Sequence, residues 1–243
     1  MKKLLLWISL LLSFPAFAKS VVVAQIKPIT DVVFILDRSG SMSGLEKDTI
    51  GGFNSMLEKQ KKEKLEGETF ITTVLFDHEL ELLHERQPIS KIKPITDKEY
   101  FVRGNTALLD AIGKIVLSLK NLHTCSETEK CVKNSNKVLF IIITDGAENS
   151  SREFNLEKVR SLIQEQTKAG WEFLFLGANI DAISVANSVG IESSKAVTYK
   201  ADNTGTQKNY EVLSEVVKEV RSGKTLGKEW KEEIEKDVEK RGK

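Results

Sequence analysis

Short, uninterrupted apolar runs that alternate with amphipathic segments most constrain how this chain can fold. Val32-Val33-Phe34-Ile35-Leu36 and Val138-Leu139-Phe140-Ile141-Ile142-Ile143 contain no polar residue, the pattern of strands covered on both faces. The second run is the most apolar in the chain and is expected near the centre of a sheet. Apolar residues at helical spacing follow: Ile50, Phe53 and Leu57 within Gly44 to Lys64, then Leu108, Ile112, Ile115 and Leu119. Leu156, Val159 and Ile163 mark a third helix, and Tyr210, Leu213, Val217 and Val220 a later one. Further strands are expected at Thr69 to Phe76, Phe173 to Leu176 and near Val197, with a short helix around Ile183 and Ala186. Only Asp77-His78-Glu79 separates Phe76 from the strand Leu80 to Leu83. That connection is too short for a crossover, so the pair is expected as an antiparallel hairpin. Residues 86–105 hold two of the four prolines and no clear period, and read as a loop. The expected fold is α/β: a doubly wound, mostly parallel sheet with one antiparallel edge strand and helices on both faces, over residues 28–222.

Residues 1–18 stand apart from this pattern. Lys2 and Lys3 precede the nearly unbroken apolar stretch Leu4 to Phe14, and Pro15 leads into Ala16-Phe17-Ala18. This is the layout of a cleaved export signal, and the apolar run is shorter than the roughly 20 residues that span a bilayer. No Cys follows Ala18 to take a lipid. The compact, lysine-led signal reads as bacterial, so the expected location is the periplasm or the outside of the cell. Removing the signal takes Lys2 and Lys3 with it, leaving 225 residues with 34 basic and 35 acidic side chains. So balanced a charge gives no support for a nucleic-acid or anionic-membrane partner. Export also gives the two cysteines a meaning: Cys125 and Cys131 are expected to close a short loop as a disulfide. No second Cys pair exists for a zinc site, and His123 alone does not complete a ligand set.

Residues 223–243 are mostly charged, yet Leu226, Trp230, Ile234 and Val238 recur every four positions. The stripe fits either a helix resting on the domain or a partner-binding helix anchored by Trp230.

Chemistry concentrates at two strand ends. Asp37-Arg38-Ser39-Gly40-Ser41 follows the first core strand, and Thr144-Asp145-Gly146 follows the most apolar one. In an open α/β sheet, ligands bind at the carboxyl ends of strands, where strand order reverses. Two carboxylates and two hydroxyls are therefore expected to converge there, and Gly104-Asn105-Thr106 can add a third hydroxyl from the start of the next helix. All-oxygen donors of this kind suit Mg²⁺, with Mn²⁺ the alternative. Asp37 and Asp145 only neutralise a divalent ion, so an acidic side chain from outside could still be held. Arg38 is expected to face solvent beside the site, where it and Trp230 are the candidate partner contacts. Taken singly, the acidic and hydroxyl residues also have ordinary uses as helix caps and turn formers.

Asp37-x-Ser39-x-Ser41, with Thr106 and Asp145-Gly146 downstream in that order, resembles the metal-ion-dependent adhesion site of von Willebrand factor type A domains. The strand and helix order from about residue 30 to 222 is similar to that family as well. The resemblance implies a protein-binding module rather than an enzyme, with metal held by Asp37, Ser39, Ser41, Thr106 and Asp145. It also implies that a Glu or Asp of a protein partner can complete the metal shell.

Enzyme readings fit less well. Ser39 stands where a haloacid-dehalogenase-like enzyme needs a second Asp. Met42 occupies the nucleophile position of the only near match to G-x-S-x-G. There is no H-E-x-x-H and no phosphate-binding glycine loop. Asn149-Ser150-Ser151 is a glycosylation sequon only in a eukaryotic secretory setting, which the leader argues against. Two rival functions stay open at this level: a metal-dependent hydrolase of phosphate esters, and an envelope module whose metal only stabilises its loops.

Overall fold

The computed structural model describes residues 27–124, 137–178 and 180–242. The leader at 1–18 and the Cys125 and Cys131 pair fall outside them. Six strands form one sheet: β1 (Ile29–Asp37), β2 (Glu68–Phe76), β3 (Leu80–Pro88), β4 (Lys137–Thr144), β5 (Glu172–Ala178) and β6 (Ala196–Tyr199). Their spatial order is β3-β2-β1-β4-β5-β6. All neighbours run parallel except β2 and β3, which form the antiparallel hairpin at one edge. The chain builds outward from β1 in one direction, then returns to its other side to add β4. The point of reversal therefore lies between β1 and β4, whose register pairs Leu36 with Ile143 and leaves Asp37 and Thr144 at the shared carboxyl edge.

Alternation along β1 divides its side chains between two apolar layers. Val32, Phe34 and Leu36 face α1 (Glu46–Lys62) and α5 (Asn203–Arg221), with Phe34 meeting Phe53 edge to face at 5.2 Å. Val33 and Ile35 face the layer built from α2 (Leu108–Thr124), α3 (Leu156–Lys168) and α4 (Ala182–Ser188). The all-apolar strands are thus explained: each is buried from both sides.

The structure corrects two expectations about the periphery. Strand β3 runs on to Pro88 instead of ending at Leu83, so the loop expected from residue 86 begins later. Its continuation is irregular, with Arg86 at a φ of 40° and shifts in its register with β2. Contacts hold it that no periodicity shows: Arg86 Nε donates to Asp31 at 2.9 Å, and the guanidinium lies over the Phe70 ring. The second correction concerns Trp230. It is only 8% exposed, and its indole N–H donates to the Ser194 carbonyl at 2.9 Å. Leu226, Trp230 and Ile234 join the same apolar layer as α1 and α5, and α6 (Glu232–Arg241) completes that side. Trp230 is therefore part of the core and not an anchor for a partner. Among the described residues no helix is long and apolar enough to cross a membrane.

Candidate metal centre

Asp37 is the last residue of β1, so the strand itself carries its carboxylate to the carboxyl edge, where it is 1% exposed. Thr144, the last residue of β4, donates its hydroxyl to Asp37 Oδ2 at 2.5 Å, and the Ser39 amide donates to Oδ1 at 2.7 Å. The chain then makes a single helical turn, Gly40–Met42, which returns Ser41 toward the strand ends. A chain of hydroxyls follows. Thr106 Oγ1 donates to Ser39 Oγ at 3.0 Å, Ser39 Oγ and Ser41 Oγ lie 3.1 Å apart, and Ser41 Oγ donates to Asp145 Oδ1 at 2.6 Å. All five residues expected at the site are thereby brought together from three loops.

Glycines permit this crowding. A Cβ on Gly146 would stand 2.7 Å from Thr106 Oγ1 and 3.1 Å from Ser41 Oγ, inside the space the donors occupy. Gly104, at a φ of +64°, turns the chain so that its carbonyl accepts from the Gly40 amide at 3.1 Å.

Electrostatically the site is a concentration of poorly solvated negative charge. Burial pushes the Asp37 carboxyl up to about 6, against the lowering effect of the Thr144 and Ser39 hydrogen bonds, and Asp145 adds to the rise. Burial likewise raises Asp145. Tyr199, the last residue of β6, is raised by burial and by both aspartates.

This donor set fits a hard divalent cation: two carboxylates and three hydroxyls, with no sulfur or imidazole among them. A second group of donors does not. Asp77, His78 and Glu79 offer ligand atoms within 4.8 Å of one another. However, Asp77 Oδ2 already accepts from Arg38 Nε at 2.9 Å and Arg103 Nε at 2.8 Å, so its charge is matched by two guanidiniums.

Arg38 is where expectation fails. Instead of facing solvent, its side chain is 0% exposed, bonded to Asp77, to Glu81 at 2.7 Å and to the Glu99 carbonyl at 3.2 Å. Burial works to raise the Asp77 carboxyl, but hydrogen bonds from Arg103, the Glu79 amide and Arg38 outweigh it and hold the group below its ordinary value. Arg38 is a brace under the Asp37–Ser41 loop and not a contact for a partner.

Several supporting residues went unread in the sequence. Tyr100, within the aperiodic segment 86–105, donates its hydroxyl to the Asp37 carbonyl at 2.5 Å. Asn149 accepts from the Thr106 amide at 3.0 Å, and its own amide donates to the Thr106 carbonyl at 3.0 Å. Glu148 accepts from the amides of Leu109, Ser150 and Ser151. The only available signal was the polar run Glu148 to Ser151 directly after Asp145-Gly146.

No family model matches the sequence, and no curated protein matches it. Solved structures do match in fold. The von Willebrand factor domain of the type V pilus tip protein Mfa5 from Porphyromonas gingivalis matches over 83% of this chain and 98% of its own, at TM-score 0.51 and 12% identity. The pilus adhesin SpaC from Lactobacillus rhamnosus GG, in an open conformation, matches over 79% of this chain and 30% of its own, at TM-score 0.59 and 11% identity. Proximal thread matrix protein 1 from the mussel byssus, solved with a zinc-occupied MIDAS motif, matches over 79% of this chain at TM-score 0.52 and 15% identity. The chain spans 46% of that mussel protein's length.

Proposed function

From its von Willebrand factor type A fold, we propose that this chain is a divalent-metal-dependent protein-binding module, used in adhesion or assembly and not in catalysis. The observation that carries the proposal is the convergence of Asp37, Ser39, Ser41, Thr106 and Asp145 at the reversal point of the sheet, around the space that Gly146 leaves open. These five residues would hold the ion, Mg²⁺ or Mn²⁺. Two carboxylates only neutralise it, so a bound divalent ion would keep Lewis acidity toward a carboxylate from outside. The partner is accordingly a protein offering an Asp or Glu side chain.

The chain's own residues prepare that surface. Thr144 and the Ser39 amide orient the Asp37 carboxylate, and Tyr100 fixes the backbone carbonyl of the same residue. The Arg38–Asp77 pair holds the adjoining loop ends without adding positive charge to the mouth of the site. Adhesive pilus proteins among the structural neighbours support the reading, as does the leader-like segment at 1–18, which suits a chain exported to the bacterial periplasm or beyond. The proposed domain comprises residues 28–222, with the segment 223–242 packed upon it.

The test is calorimetric titration of residues 19–243 with Mg²⁺ and Mn²⁺ to millimolar concentration, alongside Asp37→Ala. Binding that disappears in the variant supports the site, and a partner retained on the loaded protein and released by chelator supports the function. Absence of binding by either ion overturns both.

A further inference from the structure

Resting on that metal-site reading, we propose that Asn149 is a positioning residue for the site, acting through Thr106. Both backbone polar groups of Thr106 are engaged. Its amide donates to Asn149 Oδ1 at 3.0 Å, and its carbonyl accepts from the Asn149 amide at 3.0 Å. The next amide, of Ala107, donates to the Asp77 carbonyl at 2.7 Å. One residue therefore grips both polar groups of Thr106, and a second strand end holds the peptide beyond it. With its backbone fixed on both sides, the Cα–Cβ direction of Thr106 is fixed too. As a β-branched residue it then has few χ1 choices for its hydroxyl.

Thr106 needs this because nothing else in regular structure places it. It precedes α2, outside any strand ladder, yet its hydroxyl must reach Ser39, 67 positions away in sequence. Asn149 lies four residues beyond Asp145. Gripping Thr106 from that position sets the Thr106 hydroxyl and the Asp145 carboxylate relative to each other through one short loop.

The loop is itself rigidly mounted, which is what makes the grip effective. Glu148 ties it to the first turn of α2 through the Leu109 amide at 2.9 Å, and also accepts from the Ser150 and Ser151 amides. Asp110 accepts from three successive amides, those of Arg152, Glu153 and Phe154. The Phe154 ring sits where a Cβ on Gly113 would be, 2.2 Å from the nearest ring atom. Asn149 thus projects from a fixed frame, and its contribution is the placement of a metal donor rather than the holding of the fold.

The test compares the wild type, Asn149→Ala and Asn149→Asp by Mn²⁺ titration, with thermal unfolding of each in chelator. The alanine variant removes the side-chain acceptor but keeps the backbone bond, while aspartate keeps the acceptor. The expected result is a loss of Mn²⁺ affinity of about 10–100-fold in Asn149→Ala, the usual effect of removing a group that orients a metal ligand. Asn149→Asp should bind at least as tightly as wild type, and all three should unfold at the same temperature in chelator. Wild-type affinity in Asn149→Ala overturns the inference and leaves the metal site standing. A parallel fall in affinity and in chelator-state melting temperature for both variants shows a merely structural role and also overturns it. Failure of the wild type to bind Mn²⁺ removes both readings together.

Discussion

Ser41 Oγ donates a 2.6 Å hydrogen bond to Asp145 Oδ1, joining residues 104 positions apart across the reversal point of the sheet. With the Thr106 and Ser39 hydroxyls behind it, this bond ends a line of hydroxyls on the Asp145 carboxylate. A divalent ion held by the same oxygens would accept their lone pairs and offset the two carboxylate charges, the hydroxyls keeping their protons. Stability and ion concentration should therefore be linked in this protein.

Saturating metal should raise the melting temperature. At a hundredfold excess over the dissociation constant, linkage gives about 2.7 kcal/mol, which for a domain of this size corresponds to roughly 5–10 °C. Asp145→Ala should abolish the shift, and Gly146→Ala should sharply reduce it, because the new Cβ would press on Thr106 Oγ1 at 2.7 Å. Differential scanning fluorimetry with Mg²⁺, Mn²⁺ and chelator measures all three, and an undiminished shift in Asp145→Ala would count against the ligand assignment.

Arg38→Met should be strongly destabilising. The substitution strips a fully buried guanidinium from a fully buried carboxylate, Asp77; Arg103 still reaches that carboxylate, so the loss should approach but not exceed the roughly 3–5 kcal/mol of leaving a buried charge unpaired. Arg103→Ala, which removes a half-exposed partner of the same carboxylate, should cost clearly less. Urea unfolding curves of the two variants give the comparison directly. Equal losses would mean that Arg38 is not the principal brace.

His84 should make the protein less stable in mild acid. It is 7% exposed and its Nδ1 has no hydrogen-bond partner among the described residues. Burial holds its pKa below the ordinary value of 6.5, with Glu99 opposing weakly. The unfolded chain therefore takes up the proton first, so stability is complete above pH 6.5 and is lost as pH falls from there. Asp37 works the other way. Its carboxyl, raised to about 6, makes the metal-free native state the better proton binder between there and the ordinary carboxylate value. Subtracting the curve for His84→Gln isolates the histidine: unfolding free energies at pH 7.5 and 5.5 should differ less in the wild type's favour at the lower pH. Parallel curves would show that His84 is not held neutral by burial.

Trp230→Ala should destabilise the domain by about 3–5 kcal/mol, the usual loss for a buried aromatic side chain. Partner capture should survive at temperatures where the variant is folded, since the ring belongs to the buried apolar layer that includes α5 and bonds inward to Ser194. Loss of capture without loss of stability would return Trp230 to the binding surface.

Much of the fold was legible before any tertiary contact was known. Burial on both faces leaves strands such as Val138 to Ile143 wholly apolar, and burial on one face leaves helices an apolar stripe. Both signals are local in sequence. The short turn at Asp77 to Glu79 likewise forced the antiparallel edge. Even the meeting of Asp37 and Asp145 was readable, because residues ending two core strands of an open parallel sheet must emerge at its carboxyl edge.

What the sequence could not supply was the direction of long polar side chains and the partners of irregular segments. Arg38 looks like a solvent-facing residue beside a site, yet it turns inward because Asp77, Glu81 and the Glu99 carbonyl converge on it from 39 to 61 positions away. Trp230 fits the spacing of a helix resting on the domain and also that of an anchor for another protein, and only its burial in the folded chain decides. Arg86 and Asn149 carry no periodicity at all; their roles come from contacts with Asp31 and Phe70 and with both backbone groups of Thr106. Local pattern reports how much of a segment is buried, which is a property of nearest neighbours along the chain. Which groups satisfy a buried charge or an amide outside a ladder depends on residues brought together only when the sheet closes, and that was decided by the tertiary structure alone.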